Sequence, residues 1–133
     1  MLILDTHVLI WLDQGISRLG KSAHRRIDGA LAAEGLGVAA ISFWETTMLV
    51  AKGRLIMELE LDIWRNELLQ TGLVEIPLKG TIAIRAGQLE AFHGDPADRM
   101  IVATAIENSA TLMTADERIL NWKRFRNVID ARV

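Results

Sequence analysis

The sequence predicts an α/β fold, a three-layer α/β/α arrangement around a central parallel sheet of four to five strands, in one domain over residues 1–133. Two observations lead there. Short apolar runs alternate with segments of helical apolar spacing along the whole chain. A helix between successive strands prevents hairpin pairing, so the strands run parallel, with helices on both faces of the sheet. The composition, 50% hydrophobic and 24% charged, supplies the apolar mass that such a sheet must bury. No repeat, linker or low-complexity stretch divides the chain.

The elements follow in order. Leu2-Ile3-Leu4 is a buried strand that stops at Asp5-Thr6, a pair suited to a helix start. Val8, Leu9, Trp11 and Leu12 give a first helical face. Leu19, Ala23, Ile27 and Ala30 or Leu31 give a second, at spacings of three and four. Gly35 and Gly37 punctuate, and Val38-Ala39-Ala40-Ile41 is the second strand. Ser42 begins a helix that runs to about Lys52, with Gly53 at its stop. Residues 62–70 form another helix, ended near Gly72, and residues 73–77 a third strand.

Ile82, Ala83, Ala86 and Leu89 mark the next helix. Asp95-Pro96 opens one more, since proline suits the first helical position. Its body, residues 100–106, is apolar nearly all round, which predicts burial. Thr111-Leu112-Met113 is the fourth strand, residues 116–120 a short helix, and Asn127-Val128-Ile129 a last edge strand.

Composition also excludes functions. Without cysteine there are no disulfides and no thiolate metal sites. Three histidines are too few to favour a zinc site of several imidazoles. A net charge of −2 argues against coating nucleic acid through bulk charge, but leaves room for a local basic rim. No basic segment leads into an apolar stretch at the N-terminus, and no apolar run is long enough to span a bilayer; a cytoplasmic protein without membrane contact is expected.

In open parallel sheets, ligands bind beyond the carboxyl ends of the strands. Four carboxylates fall at strand ends or helix starts: Asp5 after the first strand, Glu45 after the second, Asp98 on the buried helix and Asp116 after the fourth. Each also has a plain helix-capping explanation. Asp5 can cap the first helix, and Ser42-Phe43-Trp44-Glu45 has the form of a capping box. Asp95-Pro96-Ala97-Asp98 has a similar form, and Thr114 can cap the helix that contains Glu117. Converging carboxylates repel one another, however, and a hard divalent cation resolves the repulsion.

Four segments then carry a family likeness: residues 4–12, residues 41–45 leading to 52–55, residues 93–103, and residues 112–119. They read LDTHVLIWL, ISFWE with KGRL, HGDPADRMIVA, and LMTADERI, in order and across almost the whole chain. The sequence resembles the PIN-domain ribonucleases, and within them the VapC-like toxins of type II toxin–antitoxin pairs. The resemblance implies an endoribonuclease dependent on Mg²⁺ or Mn²⁺, which hydrolyses RNA phosphodiester bonds with metal-activated water. It carries over Asp5, Glu45, Asp98 and Asp116 as catalytic and metal-holding residues, Asp5 and Asp98 foremost as direct ligands. Thr114 matches a supporting Ser/Thr position, Thr6 is a second such candidate, and Asp95 either caps its helix or touches the metal through water. A cognate antitoxin is the implied protein partner, RNA the substrate, and a homodimer the implied assembly.

Other residues read more plainly. His7, His24 and His93 are expected to be surface or structural, and Arg99 structural. Lys21, Arg25 and Arg26, and likewise Lys123, Arg124 and Arg126, form basic faces. Trp11 and Trp44 are expected in the core, whereas Trp64, with Leu61, Ile63 and Leu68, is expected to offer an apolar groove to a partner. Three rivals stand beside the nuclease: a noncatalytic metal-binding interaction domain, an aspartate-nucleophile phosphatase, and cleavage of DNA or flaps. Against the phosphatase, His7 occupies the position two after Asp5 where a second Asp is wanted.

Overall fold

A computed structural model describes residues 1–133. Strand β1 (Leu2–Leu4) leads into helix α1 (Thr6–Gln14), followed by α2 (Lys21–Ala32), β2 (Leu36–Ala39), α3 (Ile41–Ala51) and α4 (Leu61–Gln70). Then come β3 (Val74–Ile76), α5 (Gly80–Gln88), α6 (Pro96–Glu107), β4 (Thr111–Thr114), α7 (Glu117–Leu120) and β5 (Val128–Asp130). The five strands form one parallel sheet in the order β3-β2-β1-β4-β5. The expected fold class is therefore the observed one, and β5 does lie at an edge.

The chain winds outward from β1 to β2 and β3, then returns to place β4 on the other side of β1. The order thus reverses between β1 and β4, whose register pairs Leu4 with Met113. Beyond that pair a crevice opens, because the connections on either side depart in opposite directions. Asp5 and Thr114 are the next residues along these two strands.

Side-chain alternation divides the sheet into two apolar faces. Leu2, Leu4, Val38 and Met113 pack with Val8 and Leu9 of α1, Ala23 and Ile27 of α2, and Trp64 of α4. Ile3, Ala39 and Leu112 face the other way, against Ile101, Val102 and Ala105 of α6 and Ile119 of α7. Helix α6 is also covered by α5, through Ala103 against Ile82 and Ala86. Covering on both sides explains why residues 101–105 are buried without a break, as the apolar run predicts.

Boundaries shift in physically informative ways. Strand β2 starts at Leu36 and ends at Ala39, so Ala40 is a turn and Ile41 already belongs to α3. Ser42 therefore lies inside the helix, Ala40 is the N-cap, and no side chain caps it; the expected capping box does not form. Strand β4 extends through Thr114, and Asp116 rather than Thr114 caps α7. The tryptophans are redistributed as well. Trp44 is 52% exposed rather than core, while Trp64 is only 3% exposed and donates its indole N–H to Asp13 at 3.0 Å. Gly15 ends α1 at φ +65°, a left-handed conformation that glycine adopts without strain.

Candidate active site

Asp5 closes β1 and caps α1: the Val8 N–H donates to its Oδ1 at 2.9 Å. Its Oδ2 accepts from the Thr114 hydroxyl at the end of β4. The Thr114 oxygen in turn accepts the Asp116 N–H at 3.0 Å. One hydroxyl thus ties the carboxylate of β1 to the backbone that carries the next acid. Thr114 thus bridges the two strand ends by hydrogen bonds and does not cap a helix.

Thr6, also buried, donates to the Ser42 hydroxyl at 2.9 Å and so links α1 to the start of α3. Glu45 lies one turn along α3 from that link. Asp95 caps α6 by accepting the Asp98 N–H at 3.0 Å, and Asp98 sits in the first turn of the same helix. Four elements therefore deliver their acids to a single cleft of about 510 Å³. Asp5, Glu45, Asp95, Asp98 and Asp116 all line it.

Within the cleft, ligand-capable atoms of Glu45, Asp95 and Asp98 lie within 4.8 Å of one another. Those of His93, Asp98 and Asp116 do the same, so Asp98 belongs to both groups. Asp5 belongs to neither group but shares the cleft floor. The carboxyl of Asp95 caps its helix and lies within the first of these groups.

Electrostatics separate the acids. Burial pushes Asp5 up to about 6, against the opposing hydrogen bonds from Thr114 and Val8. Burial also raises Glu45, with the Thr6 hydroxyl opposing it and the Asp98 charge adding to it. Asp98 is raised by burial, opposed by its His93 hydrogen bond, and raised further by Asp95 and Asp116. At Asp116, partial burial favours the neutral acid, but Arg118 outweighs it and holds the group below the usual carboxylate range. Arg118 contacts Asp116 at 3.1 Å and Asp98 at 3.6 Å from the cleft mouth.

The donor set suits a hard divalent cation: five carboxylates and no thiolate line the cleft, and burial disfavours the charge of Asp5, Glu45 and Asp98. Each ionised carboxylate has more acceptor sites than the protein hydrogen bonds occupy, so oxygen lone pairs remain for a metal.

Two features of the site escape a linear reading. His93 reads from sequence as surface or structural, yet its Nε2 lies 2.7 Å from Asp98 Oδ2. The sequence signal was its place five residues before Asp98 in the third motif. The basic lining comes from Arg18, Arg118 and Arg132, rather than from Lys21, Arg25 and Arg26 or from Lys123, Arg124 and Arg126. No run of basic residues marks those three arginines, which reach the cleft from separate segments.

Comparison with known proteins agrees with this fold. The family model described as PIN domain matches residues 2–125. The chain is 34% identical over 127 residues to Ribonuclease VapC22 of Mycobacterium tuberculosis, covering 95% of each protein. Among solved structures, DNA-bound VapBC from Salmonella typhimurium aligns with a TM-score of 0.71 at 18% identity, over 97% of this chain and 96% of that one. VapBC2 from Rickettsia felis, bound to a promoter DNA fragment, aligns at 0.67 and 19% identity with the same coverage. At such identities the structural matches speak for the fold.

Proposed function

The chain belongs to the PIN-domain family, and on that premise we propose that it is an endoribonuclease, the toxin of a type II toxin–antitoxin pair. The single observation that carries this reading is the convergence of Asp5, Glu45, Asp98 and Asp116 in one cleft beyond the β1–β4 reversal. The match to a protein named as a ribonuclease over 95% of both chains supports RNA as the substrate. We take the cofactor as Mg²⁺ or Mn²⁺, because carboxylate oxygens dominate the donor set.

Asp5, Asp98, Asp116 and Glu45 would hold the cation, and Asp95 flanks them. Bound there, it would supply Lewis acidity towards a phosphoryl oxygen and make a water more acidic at neutral pH. The chain's own residues do the rest. Thr114 and the Val8 N–H fix both oxygens of Asp5, so the carboxylate is oriented before any substrate arrives. Thr6 braces the start of α3, from which Glu45 projects into the cleft. Glu45, its carboxyl raised by burial, is placed to take up a proton from a water at its Oε atoms. Arg18, Arg118 and Arg132 line the mouth, where guanidinium groups pair with phosphate oxygens of the RNA backbone. No Ser or Cys nucleophile is required.

The regulatory partner in this reading is a cognate antitoxin. Its seat is the groove between α3 and α4, lined by Phe43, Thr47, Leu61, Trp64 and Arg65, with Ile63 exposed alongside. Trp64 forms the buried wall of that groove. Assembly as a homodimer of one catalytic domain per chain, acting in the cytoplasm, completes the proposal; no helix is long and apolar enough to cross a membrane.

Sequencing of new RNA ends in cells expressing the chain or its Asp5→Asn variant tests the function. Discrete new ends with the parent and none with the variant are expected. Identical end profiles for the two would refute it.

A further inference from the structure

The segment between α5 and α6 carries no secondary structure, yet it is held more firmly than most loops. Arg99, one turn into α6, points back beneath it. Its Nε donates to the Ala86 carbonyl at 2.9 Å, and Nη2 to the Leu89 carbonyl at 2.9 Å. Its Nη1 donates to the carbonyls of Phe92 at 3.1 Å and His93 at 3.2 Å. A guanidinium presents five N–H donors in a rigid fork, so these contacts fix the path of the backbone.

From the other side, the Trp122 indole donates to the Glu90 carbonyl at 3.0 Å and its ring meets Phe92 edge-on at 5.0 Å. Phe92 stacks on the His93 ring at 4.3 Å. Ala91 sits at φ +55°, a conformation L-residues rarely adopt. Such a residue persists only where its surroundings over-determine it, and these surroundings do.

The end product of this clamp is one side chain. The His93 ring, 17% exposed, presents Nε2 to Asp98 Oδ2 at 2.7 Å. An ionised carboxylate only accepts, so the contact requires the proton on Nε2. Asp98 is the acid common to both close-set groups in the cleft, hence the one whose orientation matters most.

We propose that His93 is a positioning residue for the metal site: its Nε2–H holds the Asp98 carboxylate in the ligating orientation, and Arg99 and Trp122 hold His93. The imidazole acts through Asp98 and does not itself bind the ion. Hydrogen-bonded partners of ligating carboxylates typically contribute roughly 10–100-fold to metal affinity. The proposal rests on the carboxylate metal site described above.

The test titrates the purified full chain with Mn²⁺ in the absence of RNA and reads the free ion by electron paramagnetic resonance. His93→Phe keeps the ring against Phe92 but removes the donor; His93→Gln restores a donor at similar reach. An affinity loss of roughly 10–100-fold in His93→Phe, largely recovered in His93→Gln, with unchanged thermal midpoints, is expected. Equal affinity of His93→Phe and parent overturns the proposal, as does an equal loss in both variants. Pulsed measurements on the Mn²⁺-loaded parent give a second reading that needs no variant: no directly coordinated nitrogen is expected, and a nitrogen ligand overturns the positioning role. A parent that binds no Mn²⁺ removes the metal site itself, which is a distinguishable failure.

Discussion

At Asp5 the carboxylate caps α1, accepts the Thr114 hydroxyl, and lies buried beside other acids. Capping and hydrogen bonding favour its charge; burial opposes it more strongly and raises the group to about 6. For an acid with a raised folded pKa, the native state binds more protons than the unfolded state between about 4 and 6. Stability therefore falls as pH rises through that window, and the full penalty is present at pH 7. A shift from 3.8 to about 6 corresponds to at most about 3 kcal/mol. In chelator-treated protein, Asp5→Asn should accordingly raise the thermal midpoint at pH 7 by several degrees while abolishing function. Near pH 4 the parent and the variant should converge. A variant destabilised at pH 7 would mean that the charge of Asp5 is compensated inside the fold.

Among the elements, the link between α4 and the edge strand β3 rests on a bidentate pair: Arg65 donates from Nε and Nη2 to both oxygens of Glu75, at 2.7 and 2.8 Å. The guanidinium holds Glu75 below the usual carboxylate range. A lowered folded pKa means stability that is present above the unfolded value and lost as pH falls through the folded one. Glu75→Gln should lower the thermal midpoint slightly at pH 7, in keeping with a partly exposed ion pair, and the gap should close in acid. A gap that persists at low pH would assign the loss to packing. Elements of this kind were largely legible from sequence, because period and punctuation are local. The apolar run ending at Asp5, the Asp95-Pro96 start of α6 and the all-round apolar character of residues 101–105 each needed only a few neighbours to interpret. What failed was set at longer range. Ser42 and Glu45 fit a capping box only if the helix starts at Ser42, and the turn at Ala40 starts it one residue earlier. Trp44 lies on a helix with apolar residues on several sides, and the pattern did not say which side faces water. His93 reaches the site through a loop shaped by Arg99, a residue that follows it and donates to backbone carbonyls from residue 86 onward.

For the whole molecule, the formal charge is −2, yet the cleft mouth carries Arg18, Arg118 and Arg132. Arg118 and Arg132 already pair with carboxylates at 3.1 and 2.8 Å, whereas Arg18 lies exposed with its guanidinium 6.0 Å from the Trp11 ring centre. Arg18 is thus the rim cation most available to a phosphate. Binding of single-stranded RNA to the Asp98→Asn background should weaken with salt, and adding Arg18→Gln should flatten the logarithmic slope by about 0.7, the effect of one phosphate contact. An unchanged slope would place the backbone elsewhere. On the proposed function, a net charge of −2 predicts that RNA affinity comes from this local rim and a cation between the acids rather than from the surface at large.

The most direct measurement is cleavage of a defined RNA by the purified chain in Mg²⁺ or Mn²⁺, with and without EDTA, beside the Asp98→Asn variant. Asp98 is shared by both close-set groups of ligand atoms, so its loss should disturb cation binding most. Cleavage by the parent that stops with EDTA, and a rate at least about 100-fold lower for the variant, is the predicted result. Cleavage that survives EDTA, or an Asp98→Asn rate equal to that of the parent, would contradict a ribonuclease built on a carboxylate-held cation.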